Sequence, residues 1–300
     1  MGRVLVTGGA GFIGGHVVDR LLARGNEVSV LDDLSDGDPS HLPQGVGLIQ
    51  LDIADSSASE RIAAIRPDAI VHCAAQVSVP RSMLDPVRDR AVNLVGMEHV
   101  IAGALLAGGC RVVFLSTGGG IYGEVEEPAT ETSLPRPKAY YSVHKYAAER
   151  YLELSGLPYA IARLANVYGP RQRPGLEGGV VAILARSLAA QKPIVIYGDG
   201  EQRRDFVYVG DAADAIVVML SGGVNGLWNV STGQATSINA LLATAEQIFG
   251  PACSVQHEPA RVADVFSSVL SAEKIARELG WRAQQSLADG LRMLKEHLAT

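Results

Sequence analysis

Two side chains in the middle of the sequence have the types and spacing needed for proton transfer. Tyr141 and Lys145 lie four residues apart in a segment whose pattern predicts a helix over Tyr140–Glu153. Residues at this spacing project from the same face of a helix, so the phenol and the ammonium should point the same way. A neighbouring ammonium favours the phenolate and lowers the pKa of tyrosine from its usual value of about 10. The pair therefore predicts acid–base catalysis by Tyr141, tuned by Lys145, although an exposed pair without a chemical role would show the same spacing.

A second segment, near the start of the chain, has the composition of a phosphate-binding turn. It reads Thr7-Gly8-Gly9-Ala10-Gly11-Phe12-Ile13-Gly14 and joins a predicted strand to a predicted helix. Gly8, Gly11 and Gly14 would permit the tight turn, the approach of backbone N–H groups to a pyrophosphate, and close packing of the helix on the strand. The N-terminus of the helix would add the positive end of its dipole. This segment predicts a dinucleotide cofactor.

An acidic residue at the end of the second predicted strand narrows the choice of cofactor. Asp32 stands at the distance from the glycines where dinucleotide-binding proteins carry an acid. A carboxylate there accepts hydrogen bonds from the adenosine ribose and repels a 2′-phosphate, which favours NAD over NADP. Asp52, after the third predicted strand, suits a hydrogen bond to the adenine amino group, with Ile53 beside it. Either aspartate could instead be a solvated turn residue.

The elements that would position these residues alternate between strand and helix through the first half of the chain. The predicted strands are Arg3–Val6, Glu27–Leu31, Gly47–Leu51, Ala69–His72, Arg111–Leu115 and Tyr159–Arg163. The predicted helices between them are Phe12–Ala23, Ser57–Ile65, Pro86–Ala107 and Tyr140–Glu153. Such alternation predicts an α/β fold with a doubly wound parallel sheet of the Rossmann type, in which ligands bind beyond the carboxyl ends of the strands.

After about Asn166 the regular alternation of predicted strands and helices ends. A strand over Pro193–Tyr197 is predicted among five helices, Val180–Ala190, Asp211–Leu220, Ser237–Phe249, Ala272–Leu279 and Leu287–His297. Because no linker separates the halves, we expect a dinucleotide-binding domain over residues 1–165 and a smaller α/β substrate lobe over residues 166–300. Elements near residues 194–220 could rejoin the first domain.

The composition argues against several classes of protein. Of 300 residues, 33 are glycine without a G-X-Y period, which rules out collagen, and 47% are hydrophobic, which is enough for a buried core. The net charge of −6 and the lack of a basic run argue against nucleic acid and anionic membranes as partners. Cys73, Cys110 and Cys253 lack metal-ligand spacing, so we expect neither a metal site nor a disulfide framework. The chain shows no signal peptide or spanning segment, and we expect a cytoplasmic protein.

Together these segments resemble the extended short-chain dehydrogenases/reductases that act on nucleotide sugars. The resemblance covers nearly the whole chain, and within the family the sequence looks most like the UDP-glucose/UDP-galactose 4-epimerases. Its most specific parts are Asn166-Val167-Tyr168-Gly169-Pro170-Arg171, Gly198-Asp199-Gly200 and Arg204-Asp205-Phe206-Val207-Tyr208-Val209. The resemblance implies NAD as cofactor, a UDP-sugar substrate, and a homodimer in which helices Pro86–Ala107 and Tyr140–Glu153 pair across a two-fold axis.

The resemblance also assigns residues to the two ligands. Besides the residues above, it implies NAD contacts from Phe12, Ile13, Asp33, Ser35, Ala74, Ala75, Gln76, Asn93, Ser116 and Leu164. It implies UDP-sugar contacts from Ser78, Val79, Thr117, Gly118, Asn166, Gly179, Val180, Tyr197, Arg204, Arg261, Asp264 and Ser268. The guanidinium groups of Arg204 and Arg261 would match phosphate oxygens. Hexose-restricted epimerases place a bulky tyrosine at the position of Ser268, so a serine should leave room for an N-acetyl group.

The loop Ser116–Gly123 distinguishes among the related activities. Nucleotide-sugar 4,6-dehydratases carry Thr-Asp-Glu where this chain has Gly118, Gly119 and Gly120, and decarboxylating relatives keep that glutamate. Without those carboxylates, water elimination and decarboxylation lack an acid–base group, whereas oxidation and reduction at C4 do not need it. The best-known epimerases have a serine at the position of Gly118, and either Thr117 or Ser116 could supply the missing hydroxyl.

We therefore expect an isomerase, a UDP-hexose 4-epimerase that uses NAD to interconvert UDP-glucose and UDP-galactose through a transient 4-keto sugar, and that also accepts the N-acetylated forms. Tyr141 would take the 4-OH proton directly or through Thr117. An NAD(H)-dependent 4-ketosugar reductase, or an epimerase of another nucleotide sugar, would fit the same motifs. A non-catalytic redox sensor on this fold would have no need of Tyr141 and Lys145.

Overall fold

The computed structural model describes residues 2–173, 179–260 and 265–299. Its strands are β1 (Arg3–Thr7), β2 (Glu27–Asp32), β3 (Gly47–Gln50), β4 (Ala69–His72), β5 (Arg111–Thr117), β6 (Tyr159–Leu164), β7 (Asn166–Tyr168), β8 (Ile194–Tyr197), β9 (Arg203–Arg204), β10 (Phe206–Tyr208), β11 (Gly226–Val230), β12 (Thr236–Ser237), β13 (Val255–Glu258) and β14 (Ser267–Ser268). Its α-helices are α1 (Phe12–Ala23), α2 (Ala58–Ile65), α3 (Val79–Leu84), α4 (Pro86–Arg90), α5 (Gly96–Leu106), α6 (Gly118–Tyr122), α7 (Tyr140–Leu154), α8 (Val180–Ala189), α9 (Val209–Ser221), α10 (Ile238–Phe249), α11 (Glu273–Leu279) and α12 (Leu287–Ala299). A 3₁₀ helix spans Pro39–His41, and a π-helical turn, Ala91–Val95, lies between α4 and α5.

Seven of these strands form a parallel sheet in the order β11-β6-β5-β4-β1-β2-β3. The direction of winding reverses between β1 and β4, and the carboxyl ends of these two strands therefore border a crevice. Helices cover both faces of the sheet, which explains why its central strands read as continuous apolar runs. The predicted Rossmann-type, doubly wound sheet is confirmed, and all six predicted strands of the first half are present.

The helices that cover the sheet form two apolar cores, one on each face. On one face α1 and α9 pack together and contribute residues such as Val17 and Ile216. On the other face α2, α5 and α7 contribute Ile62, Val100 and Leu152. Since α7 packs directly on β5 and β6, the segment that carries Tyr141 and Lys145 is fixed against the middle of the sheet.

The strand β11 is absent from the sequence-based prediction, and it changes how the two halves of the chain relate. It pairs in parallel with β6, from Gly226 opposite Ala160 to Val230 opposite Leu164. Trp228 lies in the same core cluster as α1 and α9. The chain therefore leaves the sheet after β6 and later returns to it, so the sheet extends beyond residue 165.

The single helix predicted over residues 86–107 is present as one continuous helical segment from Pro86 to Leu106, but it is not α-helical throughout. The π-helical turn separates α4 from α5, and the backbone at both junctions keeps right-handed helical angles. Asn93 lies buried in that turn, where its Nδ2 donates to the Gln76 carbonyl at 2.9 Å and to Asp89 Oδ1 at 3.1 Å. A π-helical turn contains one residue more than an α-turn, and these two bonds fix where the extra residue lies.

The remaining elements form a third apolar core. Residues such as Leu184 of α8, Ile196 of β8, Leu241 of α10 and Leu291 of α12 pack together there. Each predicted helix of this half begins and ends within two residues of the observed bounds. In the described ranges, none of the helices combines the length and the apolar character that crossing a membrane would require.

Candidate active site

A cleft of about 520 Å³ lies at the carboxyl ends of the sheet strands. Most of the residues predicted to bind the cofactor line it, namely Gly8, Gly11, Phe12, Ile13, Gly14, Asp32, Asp33, Ser35, Asp52, Ile53, Ala74, Ala75, Gln76, Ser116, Tyr141, Lys145 and Leu164. Asn93 is the exception, because it does not line the cleft. It donates a hydrogen bond to the carbonyl of Gln76, which does line it. Its buried Oδ1 has no hydrogen-bond partner among the described residues.

The glycine turn between β1 and α1 has no room for side chains. Gly8 has a φ of +68°, and a Cβ on it would lie 2.6 Å from the backbone nitrogen of Ala74. A Cβ on Gly14 would overlap the carbonyl oxygen of Gly8. Gly11 is the N-cap of α1, and no side chain in the described structure caps this helix end. The first turn of α1 therefore presents its uncapped backbone N–H groups and the positive end of the helix dipole to the cleft, as a bound pyrophosphate requires.

Asp32 ends β2 inside the cleft and is 6% exposed. Burial raises the pKa of its carboxyl group, and hydrogen bonds from the Ala10 and Leu34 N–H groups, both 2.9 Å, act in the opposite direction. A Cβ on Gly37 would lie 2.8 Å from Asp32 Oδ1, so backbone packs closely over this carboxylate. An additional phosphate would have little space here, which fits a ribose diol better than a 2′-phosphate.

Asp52 is held by two partners that the sequence did not indicate. Its Oδ1 accepts the Ala54 N–H at 2.9 Å, and its Oδ2 lies 2.8 Å from Arg88 Nη1. Arg88 also lies 3.9 Å from Asp33, so one guanidinium joins the ends of β2 and β3 across this part of the cleft. Arg81 likewise lines the cleft, 4.0 Å from Asp36. Arg81 lies on α3 and Arg88 on α4, and neither arginine is among the residues predicted from the sequence.

Tyr141 and Lys145 reach the opposite part of the cleft from the first turns of α7. Lys145 is 2% exposed, and its Nζ lies 4.3 Å from the centre of the Phe114 ring. Burial lowers the pKa of its ammonium to about 8, although the negative charges of Glu149 and Asp89 favour the charged form. Tyr141 is half-buried. The predicted pair is thus brought together with the predicted cofactor residues, with the lysine largely withdrawn from water.

A buried ionic cluster lies one helical turn beyond Lys145, and we call it the Ser116–Glu149–Arg163 cluster. Arg163 on β6 donates to both carboxylate oxygens of Glu149, with Nη2–Oε2 at 2.6 Å and Nε–Oε1 at 3.0 Å. The Ser116 hydroxyl donates to Glu149 Oε1 at 2.5 Å, and the Arg163 guanidinium lies 4.8 Å from the Tyr122 ring centre. The hydroxyl proton of Ser116 is therefore already used in a hydrogen bond to Glu149.

The glycine loop that follows β5 forms the short helix α6, with the Thr117 hydroxyl accepting the Gly120 N–H at 3.3 Å. A Cβ on Gly118 would overlap the δ-carbons of Leu270, and one on Gly119 would lie 2.7 Å from Ser268 Oγ. One on Gly120 would lie 2.5 Å from Ser142 Oγ. At the three positions that carry Thr, Asp and Glu in dehydratases, side chains of other residues therefore occupy the space that a larger side chain would need.

Three of the predicted substrate residues lie together, and none of them lines the cofactor cleft. Arg204 on β9 is paired with Ser268 on β14. Asp205 joins them to Asn166, because its N–H donates to the Ser268 carbonyl at 3.2 Å and its carbonyl accepts the Asn166 N–H at 2.9 Å. Ser268 is 6% exposed. Asp205 was not among the residues predicted to bind a ligand. Its fully buried carboxylate accepts hydrogen bonds from Thr232 and Gly233.

The other predicted substrate residues lie on several separate elements. Ser78 is the N-cap of α3, Val79 opens that helix, and Gly179 and Val180 open α8. Tyr197 ends β8, and Thr117 and Gly118 lie at the glycine loop described above. Arg261 and Asp264 lie outside the described residues. Nor does the described structure contain a group of three or more His, Cys, Asp or Glu side chains that could hold a metal ion.

Comparison with known proteins places the chain in a class. Residues 4–231 match the model of the NAD dependent epimerase/dehydratase family, and the chain belongs to this family. It is 40% identical to the UDP-glucose 4-epimerase of Mycolicibacterium smegmatis over 302 residues, which is 96% of both chains.

Two solved structures are similar over nearly the full length. The UDP-glucose 4-epimerase of Thermotoga maritima with UDP-glucose has a TM-score of 0.96 and 39% identity, covering 99% of this chain and 98% of that one. The UDP-glucose 4-epimerase of Thermus thermophilus, in complex with NAD, has a TM-score of 0.94 and 42% identity, covering 99% of both. The predicted family, NAD as cofactor and an epimerase-type isomerase are confirmed.

Proposed function

We propose that this protein is a UDP-hexose 4-epimerase that interconverts UDP-glucose and UDP-galactose. The observation that carries the proposal is the pairing of Tyr141 and Lys145 in the NAD cleft with a neighbouring loop that has no carboxylate. The similarity to UDP-glucose 4-epimerases over nearly the full chain supports it. The substrate residues would be those around Arg204, Asn166 and Ser268.

In this mechanism Tyr141 acts as a phenolate and accepts the proton of the sugar 4-OH. Lys145, held as a buried cation beside the ring of Phe114, stabilises the phenolate and contacts the cofactor ribose. NAD⁺, when bound in the cleft, would supply the acceptor for the hydride that leaves C4 of the sugar and, once reduced, the source of the hydride that returns to C4. The 4-keto sugar then presents its other face, and Tyr141 returns the proton to the C4 oxygen. Atoms and electrons balance without a second substrate.

We assign any hydroxyl relay between the sugar and Tyr141 to Thr117. Ser116 lines the cleft, but its side chain is only 4% exposed and its hydroxyl donates a hydrogen bond to Glu149 at 2.5 Å. The Thr117 hydroxyl accepts the Gly120 N–H, and its own proton is not used by that bond. Replacing Thr117 by valine should therefore slow the reaction more than replacing Ser116 by alanine slows the chemical step.

The glycine loop argues against dehydration and decarboxylation by this chain. Both reactions need an acid–base carboxylate near the sugar in addition to the tyrosine. Here Leu270, Ser268 and Ser142 occupy the space around Gly118, Gly119 and Gly120. Epimerisation uses only the groups that the cleft contains.

The test is turnover of UDP-galactose by Tyr141→Phe, measured together with the bound NAD. We expect the rate to fall by at least about 100-fold while NAD remains bound, because a general acid–base group contributes about 10²–10⁴-fold. Tyr140→Phe is the matched control, since Tyr140 is the neighbouring phenol on the same helix, is 45% exposed and stacks on His144. Near wild-type turnover by Tyr141→Phe would refute the role of Tyr141, and net consumption of added NADH would indicate a reductase instead.

We further propose that N-acetylated UDP-hexoses are substrates. Ser268 lies beside Gly119, and no bulky side chain occupies either position. Turnover of UDP-N-acetylglucosamine should therefore approach that of UDP-glucose. Discrimination against the N-acetylated sugar by more than about 100-fold, or 2.7 kcal/mol, would contradict this proposal.

A homodimer formed by α5 and α7 is also part of the proposal. The outward face of α7 carries the exposed side chains of Tyr140, Val143, Tyr151 and Leu154, which recur at helical spacing. Burying such a stripe against a second copy would remove it from water. Sedimentation analysis should show a dimer that Tyr151→Arg weakens, whereas Leu134→Arg, at an exposed loop residue, should leave it intact. A wild-type monomer at micromolar concentration would refute the proposal.

A further inference from the structure

The turn that follows β7 brings an arginine of the second half of the chain into the cofactor cleft. Arg171 lines the cleft together with the glycine turn, and its Nη1 lies 2.8 Å from Asp19 Oδ2 on α1. A Cβ on Gly15, in the first turn of α1, would lie 3.1 Å from the same nitrogen. The guanidinium therefore lies against the end of α1 that faces the expected pyrophosphate.

The backbone of this turn is held in an unusual conformation by contacts on two sides. Arg171 has a φ of +70°, in the left-handed region that residues with a Cβ rarely adopt. The Pro170 carbonyl accepts a hydrogen bond from His16 Nε2 of α1 at 3.1 Å, and the Arg171 N–H donates to His297 Nε2 of α12 at 3.4 Å. Strained residues held in this way are concentrated at binding and catalytic sites.

The positive charge of Arg171 lies where the pyrophosphate of NAD would need one. Arg81 and Arg88 pair with Asp36, Asp33 and Asp52, which line the cleft themselves, whereas Asp19, the partner of Arg171, does not line it. Arg173 also lines the cleft, but it is exposed and pairs with Asp38. A pyrophosphate carries two negative charges, whereas the glycine turn and the helix dipole supply only partial positive ones. A guanidinium has five N–H donors, and the Asp19 pair engages its Nη1 end.

We propose that Arg171 binds the pyrophosphate of NAD from the second half of the chain and shares its guanidinium between Asp19 and the phosphate oxygens. The two halves of the molecule would then hold the cofactor from opposite sides. The proposal concerns cofactor binding alone, so it stands or falls independently of the sugar substrate.

The test compares three variants by the affinity for NADH, measured by fluorescence at several salt concentrations. Arg171→Gln should weaken binding by at least about tenfold and flatten its salt dependence, because a charged hydrogen bond and its Coulomb attraction are lost. Asp19→Asn should leave the affinity unchanged or raise it, because it releases Arg171 and removes a negative charge. Arg20→Gln is the matched control, since Arg20 also lies on α1 and pairs with Asp214 of α9 at 3.0 Å but does not line the cleft.

A second measurement separates phosphate contact from a merely structural role. ADP and adenosine are used as competitors of NADH for the wild type and for Arg171→Gln. The proposal predicts that Arg171→Gln weakens the binding of ADP by at least about tenfold and leaves the binding of adenosine unchanged. Equal weakening of ADP and adenosine, or equal loss of NADH affinity in Arg171→Gln and Asp19→Asn, would show that Arg171 only fastens the two halves together and would overturn the proposal.

Discussion

The replacement Glu149→Gln should destabilise the protein more than any surface change, because it leaves a buried arginine without its counter-charge. Glu149 is 1% exposed and Arg163 is 3% exposed, and the two share a forked pair of hydrogen bonds. Burial alone would lower the pKa of Arg163, but the hydrogen bonds and charge of Glu149 outweigh it, and the pKa is raised. Glutamine has nearly the same shape, so the variant removes the charge and little else.

The expected loss follows from the burial of both partners. Removing one member of a buried ion pair typically lowers the free energy of unfolding by about 3–5 kcal/mol. The Ser116 hydroxyl would also lose a charged acceptor for a neutral one. For a chain of this size, with a urea m-value of about 3 kcal/mol/M, the unfolding midpoint should fall by about 1–1.7 M.

Urea unfolding followed by the fluorescence of the buried Trp228 and Trp281 measures this loss. Asp289→Asn is the control, because its pair with Arg292 is exposed and should contribute less than about 1 kcal/mol. The double variant Glu149→Leu/Arg163→Met should be more stable than Glu149→Gln, since it leaves no unpaired charge. A loss below about 1 kcal/mol for Glu149→Gln would refute the reasoning.

Two further predictions concern the active site. Burial lowers the pKa of Lys145 in the folded protein from the usual lysine value of 10.5 to about 8. If its charge stabilises the Tyr141 phenolate, kcat should decline as the pH rises through about 8, and a profile that stays flat to pH 10 would contradict this role. Stability should change in the opposite direction, because between these two pKa values the unfolded chain binds a proton that the folded chain does not, so the Lys145 contribution to the free energy of unfolding rises with pH. Gly118→Ala should lower the free energy of unfolding by about 1–3 kcal/mol by overpacking against Leu270, whereas Gly47→Ala, with its nearest neighbour 3.9 Å away, should have little effect. Equal unfolding midpoints for these two variants would show that the glycine loop is not tightly packed.

Local patterns were sufficient for the six strands and the helices that alternate with them, because each strand is a short apolar run bounded by turn residues. The strand β11 was missed because Asn229 interrupts its apolar pattern. This buried side chain accepts the Tyr122 hydroxyl and donates to the Ala129 carbonyl. Those partners lie about a hundred residues away in sequence, so no local pattern could show that a polar residue fits there.

Gly8, Gly14 and Asp32 could be singled out from the sequence because local patterns mark their positions, the two glycines in the segment that joins β1 to α1 and Asp32 at the end of β2. Arg88 and Arg171 could not be singled out in this way. Each approaches the cleft from a segment distant in sequence, and a single arginine on a helix or in a loop resembles any surface arginine. The role of Ser116 was also decided by a long-range partner, Glu149, which lies on α7.

The return of β11 to the sheet means that the nucleotide-binding half cannot be cut from the rest of the polypeptide as a working piece. A fragment ending at residue 165 would present the whole length of β6 as an unpaired edge, open to pairing with other chains. It would also lack α9 and Trp228, and with them much of the apolar cover of α1. Fragments and fusions of this protein should therefore keep at least the chain through α11, which contributes Ile275 to that same core.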